Sequence, residues 1–67
     1  MTSDLDIYRS AQALIKRYGD DAPAESEKRA KDLFAGDDVE GAAVWAEIAA
    51  AARVLLAKEP PKGGKIH

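Results

Sequence analysis

The residues with the most capacity for chemistry are two acidic runs, Asp20-Asp21 and Asp37-Asp38-Glu40, each beginning directly after a glycine, Gly19 or Gly36. Magnesium and calcium prefer clustered carboxylate oxygens, so a hard-metal site is the first reading to weigh. The spacing argues against it. A calcium-binding loop of about twelve residues carries acids at alternate positions, a central glycine and a closing glutamate, and neither run has that layout. Gly-Asp-Asp also occurs in a catalytic turn of viral polymerases, but there it sits in a strand hairpin of a far larger enzyme. The second reading is architectural. A glycine just past a helix reaches the left-handed conformation that closes the last turn, and a neighbouring aspartate accepts free amide hydrogens of the next helix. On this reading Asp20 or Asp21 caps one helix, Asp37 or Asp38 caps another, and the chain holds no metal and no cofactor.

The remaining candidates are sparse. The sole histidine, His67, is the last residue of a Pro/Gly/Lys segment and has no neighbour to orient it as a base or ligand. Tyr8, Tyr18 and Trp45 have the makings of an aromatic pocket, yet each lies on a face needed for the core, which gives them a packing role. Arg9, Lys16 and Arg17 gather on the outer face of the first helix and are the groups that would grip phosphates. A helix–turn–helix comparison places Asp37, Asp38, Glu40 and Gly41 in the first turns of the reading helix, where acids repel the phosphate backbone. Weak nucleic-acid binding through Arg9, Lys16 and Arg17 is therefore the alternative, not the main reading. With no nucleophile beside a base, no metal-ligand cluster and no phosphate loop, the chain reads as a non-enzyme without catalytic residues.

Three helices are needed to position these groups. The first is expected over 4–18, with Ser3 as N-cap and Asp6 three positions later. Ile7, Tyr8, Ala11, Leu14, Ile15 and Tyr18 fall within an arc of about 120° at roughly 100° per residue. The second is expected over 22–35, with Pro23 in its first turn. Its inward stripe reads as Ser26, Ala30, Leu33 and Phe34, and Glu25–Arg29 and Glu27–Lys31 have the four-residue spacing of surface ion pairs. The third is expected over 38–58, stopped by Pro60-Pro61. Its apolar arc is Val44, Trp45, Ile48, Ala52, Leu55 and Leu56, with Val39 and Val54 outside the stripe. Ala42, Ala43, Ala46, Ala49, Ala50, Ala51 and Ala57 make up much of its remaining surface, as the best helix former does. That flank also suits close packing of a second chain.

The whole-chain numbers bound the possibilities. Sixty-seven residues suit one domain with one core, marginally stable by itself. We expect a single domain over 1–59 and a flexible tail over 60–67. Ten basic against twelve acidic residues leave a formal charge of −2, too little to draw in nucleic acid or an anionic membrane by field alone. Cysteine is absent, so there is no disulfide framework, thiolate or zinc finger. The start Met1-Thr2-Ser3-Asp4 has neither a basic region nor an apolar run, and no uncharged stretch approaches the roughly 20 residues that span a bilayer. A cytoplasmic location with no membrane contact is the expectation.

Asp6-Ile7-Tyr8-Arg9-Ser10-Ala11-Gln12, Leu14 through Ala22, Arg29-Ala30 and Gly41-Ala42-Ala43-Val44-Trp45 together resemble a family of short alphaproteobacterial proteins of unknown function. The similarity covers most of the chain and is most specific in the first helix and around Trp45. It implies a small stand-alone, all-helical, cytoplasmic protein and carries over no activity, cofactor or catalytic residue. Phe34 and the Ala49–Ala52 run depart from that pattern and bear on packing only.

The sequence thus predicts an all-α, compact antiparallel three-helix domain. Its expected function is a protein–protein interaction or regulatory module, engaging a protein partner or itself. The candidate surface is Arg9, Lys16, Arg17, Ala46, Ala50 and Arg53.

Overall fold

In a computed structural model of the protein, which describes residues 3–58, every element is helical and no strand is present among them. Helix α1 spans Asp4–Tyr18 and is followed by a single 3-10 turn, Gly19–Asp21. Helix α2 spans Ala22–Ala35 and helix α3 spans Val39–Lys58. The expectations for Pro60-Pro61, the 60–67 tail and His67 fall outside the described residues.

The start of α1 follows from its first residues. The extended backbone of Ser3 aims its hydroxyl oxygen at the Asp6 amide, which donates at 3.2 Å. Acids in the first turn and Lys16 and Arg17 in the last complement the helix dipole. At the far end Gly19 adopts φ +61°, and its amide donates to the Ile15 carbonyl. A glycine is required there because the backbone turns through the left-handed half of conformational space.

The expected capping of α2 by Asp20 or Asp21 does not occur. An N-cap residue must be extended for its side chain to fold back over the first free amides. Asp21 instead sits at φ −83°, ψ −2°, inside the 3-10 turn, and its carboxylate makes no capping bond. The second junction is also corrected. Gly36 has φ −92°, and the left-handed residue is Asp37 at φ +68°. The Asp37 amide donates to the Phe34 carbonyl at 3.0 Å and the Asp38 amide to the Leu33 carbonyl at 2.8 Å. These two bonds are the Schellman closure of a helix end, with Asp37 in the place usually held by glycine.

That substitution of aspartate for glycine defines one expected outcome. The left-handed conformation disfavours a residue with a Cβ by roughly 1–2 kcal/mol, less for aspartate, and glycine loses roughly 0.5–1 kcal/mol more backbone entropy on folding. Asp37→Gly should therefore raise stability by about 0.5 kcal/mol, and Asp37→Val should lower it by more than 1 kcal/mol. Urea unfolding followed by circular dichroism measures both, and a valine variant as stable as the parent contradicts the assignment.

Asp38 begins α3. Its Oδ1 accepts the Gly41 amide at 2.9 Å, and its carbonyl accepts the Ala42 amide at 3.0 Å. The residue three positions after the cap is thus Gly41, so no glutamate completes a capping box here. A Cβ on Gly41 would collide with the Asp38 carboxylate. Asp38→Ala is expected to cost about 1 kcal/mol. Gly41→Ala gains helix propensity of roughly 1 kcal/mol but displaces the cap, leaving little net change alone and the full gain in an Asp38→Ala background. A double-mutant cycle without that coupling would disprove the arrangement.

The core is small-residue packing. Ile7, Ala11 and Leu14 of α1, Ala22 of α2, and Ile48, Ala51 and Ala52 of α3 form one buried cluster, with Ile15, Tyr18, Val44, Trp45 and Leu55 packed at its edge. Helix α3 carries most of the tertiary contact, against α2 first and α1 second. Ser26 is the largest side chain that is fully closed off from solvent, and its hydroxyl donates to the Trp45 carbonyl at 2.6 Å. A backbone partner that close requires α2 and α3 to approach almost to backbone contact, which only residues the size of serine and alanine permit.

Two features of this core depart from the apolar arcs. Ala42, Ala49 and Ala51, expected on the outer flank of α3, are buried. Tyr8 and Phe34, expected inside, are 41% and 64% exposed. Both displacements have one cause: the inward lines run through Ile7, Ala11 and Leu14 and through Ala22, Ser26 and Leu33. At roughly 100° per residue Tyr8 and Phe34 lie about a quarter-turn away from those lines. Alanine seats α3 so close to its neighbours that the large residues at the margins of each arc are left outside.

Candidate functional site

The acidic runs that open the chemical reading are dispersed by the fold. Asp37 closes α2, Asp38 caps α3, and Asp20 and Asp21 occupy the 3-10 turn at the other end of α2. Among the described residues no three carboxylate or imidazole groups converge on a point where a metal ion would sit.

The half-buried polar groups instead form a clamp between elements. The Arg29 guanidinium of α2 lies 4.9 Å from the centre of the Trp45 ring of α3 and donates to the Tyr18 hydroxyl of α1 at 3.4 Å. Arg29 therefore bridges the other two helices through a cation–π contact and a long hydrogen bond, and does not form the expected surface pair with Glu25. Glu27 similarly reaches across to Arg53 of α3, not along its own helix to Lys31. Both pairings follow from α2 turning these positions toward α3. Both groups of the Glu27–Arg53 pair are about half exposed, so its contribution to stability is small. All buried side-chain polar atoms among the described residues have a partner, so the interior offers no orphaned group waiting for a ligand.

The outward side of α3 is different. Val39, Ala43, Ala46, Ala50, Arg53 and Ala57 recur alternately four and three residues apart, and every one of them is exposed. This is the spacing of a helix seam that packs on another helix. Large apolar residues flank it on both sides. Toward α2, Phe34 and Val39 form the walls of a groove floored by Ala30, Ala43 and Ala46. Toward α1, Tyr8 and Val54 line a second groove with Ala50, Asp4 and Glu47. Phe34, Val39, Tyr8 and Val54 are four of the five exposed large hydrophobic residues of the described chain. Contiguous apolar surface of this kind is what marks an interaction site on a small protein, whereas single exposed residues mean little.

The six residues singled out in the sequence divide between two surfaces. Ala46, Ala50 and Arg53 all lie on the outward row of α3. Arg9, Lys16 and Arg17 are exposed on α1, and Arg17 folds back to within 5.6 Å of the Tyr18 ring. Lys16 borders a groove with Gln12, Ile15 and Leu55 of α3. Of the four exposed residues Phe34, Tyr8, Val39 and Val54, the two valines already fall outside the apolar stripe of α3 in the sequence, whereas Tyr8 and Phe34 lie on arcs expected to face the core.

No family model, curated protein or solved structure matches this chain.

Proposed function

We propose that the protein is a non-enzymatic interaction module that docks another polypeptide on the outward face of α3 and its two flanking grooves. The observation that supports this reading most is the exposure of Phe34 and Val39, 64% and 60%, around an alanine floor. A small domain leaving a phenylalanine and a valine this open beside each other forgoes roughly 1–2 kcal/mol of burial at each, which a docked chain recovers. The frame we assign to it is a compact antiparallel three-helix domain, and the setting a bacterial cytoplasm. No described helix is long and apolar enough to cross a membrane.

Phe34→Ser and Val39→Asp are the discriminating variants. Both alter exposed positions, so circular dichroism should show the fold intact while binding is lost. Affinity capture from the native cell with wild type, each face variant and Arg9→Ala tests the reading. Retention of the same partner by Phe34→Ser and Val39→Asp, with loss in Arg9→Ala, would move the interaction to α1. Nucleic-acid binding through Arg9, Lys16 and Arg17 is the competing reading, and it requires strongly salt-dependent association.

A further inference from the structure

We infer that the occupant of the outward face of α3 is a second copy of this chain, with the two α3 helices running in opposite directions about a two-fold axis close to Ala46 and Ala50. This deepens the reading of that face as a docking surface and rests on it. Two observations carry it. The first is the seam itself, in which Val39, Ala43, Ala46, Ala50 and Ala57 are exposed at helix-pairing intervals between an apolar groove toward α2 and a mixed one toward α1. Small residues at these positions let a like helix approach closely, and a self-complementary patch is what an isologous dimer needs.

The second is the charge distribution along the face, which selects both occupant and direction. The N-cap and leading half of α3 are acidic, with Asp38, Glu40 and Glu47, while the trailing half carries Lys58 and Arg53, whose guanidinium is shared with Glu27 of α2. Helix α1 repeats the gradient alongside. Asp4 lies in the groove with Glu47, and Lys16 lies in the groove with Leu55. A copy laid in the same direction would set acid on acid and base on base. Reversing it sets the acidic end of each copy over the basic end of the other, and it also opposes the two helix dipoles. With Ala46 facing the partner's Ala50, Glu40 comes within one helical turn of the partner's Lys58, and Arg53 faces the partner's Ala43. The seam's single charge is then set against the smallest available side chain.

Sedimentation equilibrium of the full chain from about 10 μM to about 1 mM measures the association directly. Wild type should be dimeric at the upper end and weaker at high salt. Ala50→Glu, at an exposed position, should raise the dissociation constant at least tenfold with unchanged circular dichroism. Glu40→Lys and Lys58→Glu should each weaken association by roughly tenfold, and an equimolar mixture of the two should restore it as a heterodimer seen by native mass spectrometry. A wild-type monomer at about 1 mM, or a mixture no tighter than either variant alone, overturns the inference. If wild type is monomeric yet a captured partner is lost in Phe34→Ser and Val39→Asp, the docking face stands and the second copy is eliminated.

Discussion

Ile48→Ala should remove most of the protein's stability at 25 °C. Ile48 is 4% exposed and is one of few large side chains inside a cluster otherwise built from alanine, Ile7 and Leu14. Removing three methyl or methylene groups from such a site costs about 2–5 kcal/mol, the upper end where the surroundings cannot collapse. A domain of this size has roughly 3–8 kcal/mol of total stability. The substitution therefore removes most of it, and Ile48→Val, costing about 0.5–1.5 kcal/mol, should fold and serve as the control. Urea titration at low temperature reads both, and a loss below about 1 kcal/mol for the alanine variant would show that Ile48 is not the centre of the core.

Ser26→Leu is expected to be comparably severe for the opposite reason. Ser26 has no exposed surface and its hydroxyl contacts the Trp45 backbone at 2.6 Å, so no space exists for three additional carbons. Overpacking of this kind costs about 1–3 kcal/mol, and the lost hydrogen bond adds about 1 kcal/mol. The two helices must also separate, which pulls Arg29 from the Trp45 ring and should shift the indole fluorescence toward that of water-exposed tryptophan. Ser26→Ala keeps the close approach and loses only the hydrogen bond, so about 1 kcal/mol is expected. If the leucine variant melts with the parent and keeps its fluorescence, α2 and α3 are not in backbone-close contact at this point.

Helical character was legible in the sequence because capping residues and apolar spacing act locally. Ser3 with Asp6 fixes where α1 begins, and Gly19 fixes where it ends, through bonds made within one turn. What escaped was set by neighbours. Whether Asp37 or Gly36 takes the left-handed position depends on where the last turn of α2 closes, a matter of one residue. The choice of partner for Glu27 and Arg29 depends on α3 lying beside them, which intrahelical spacing cannot report. Alanine is the hardest residue to place, since hydropathy alone assigns it to neither side. In α3 the buried Ala42, Ala49, Ala51 and Ala52 and the exposed Ala43, Ala46, Ala50 and Ala57 have the same side chain, and only the positions of α1 and α2 separate them. The candidate surface was legible to the same degree: Ala46, Ala50 and Arg53 fall on the outward row, while Phe34 and Tyr8 were assigned to the interior.

An interior in which single methyl groups outnumber large side chains also has a calorimetric consequence. Melting such a core hydrates less hydrocarbon per residue than melting one filled with leucine and phenylalanine, and hydrocarbon hydration is the source of the heat-capacity increment. The increment should fall below the usual range of about 12–15 cal/mol/K per residue. The stability curve then becomes broad and shallow, changing little between refrigeration and body heat, with its low-temperature limb displaced far below freezing.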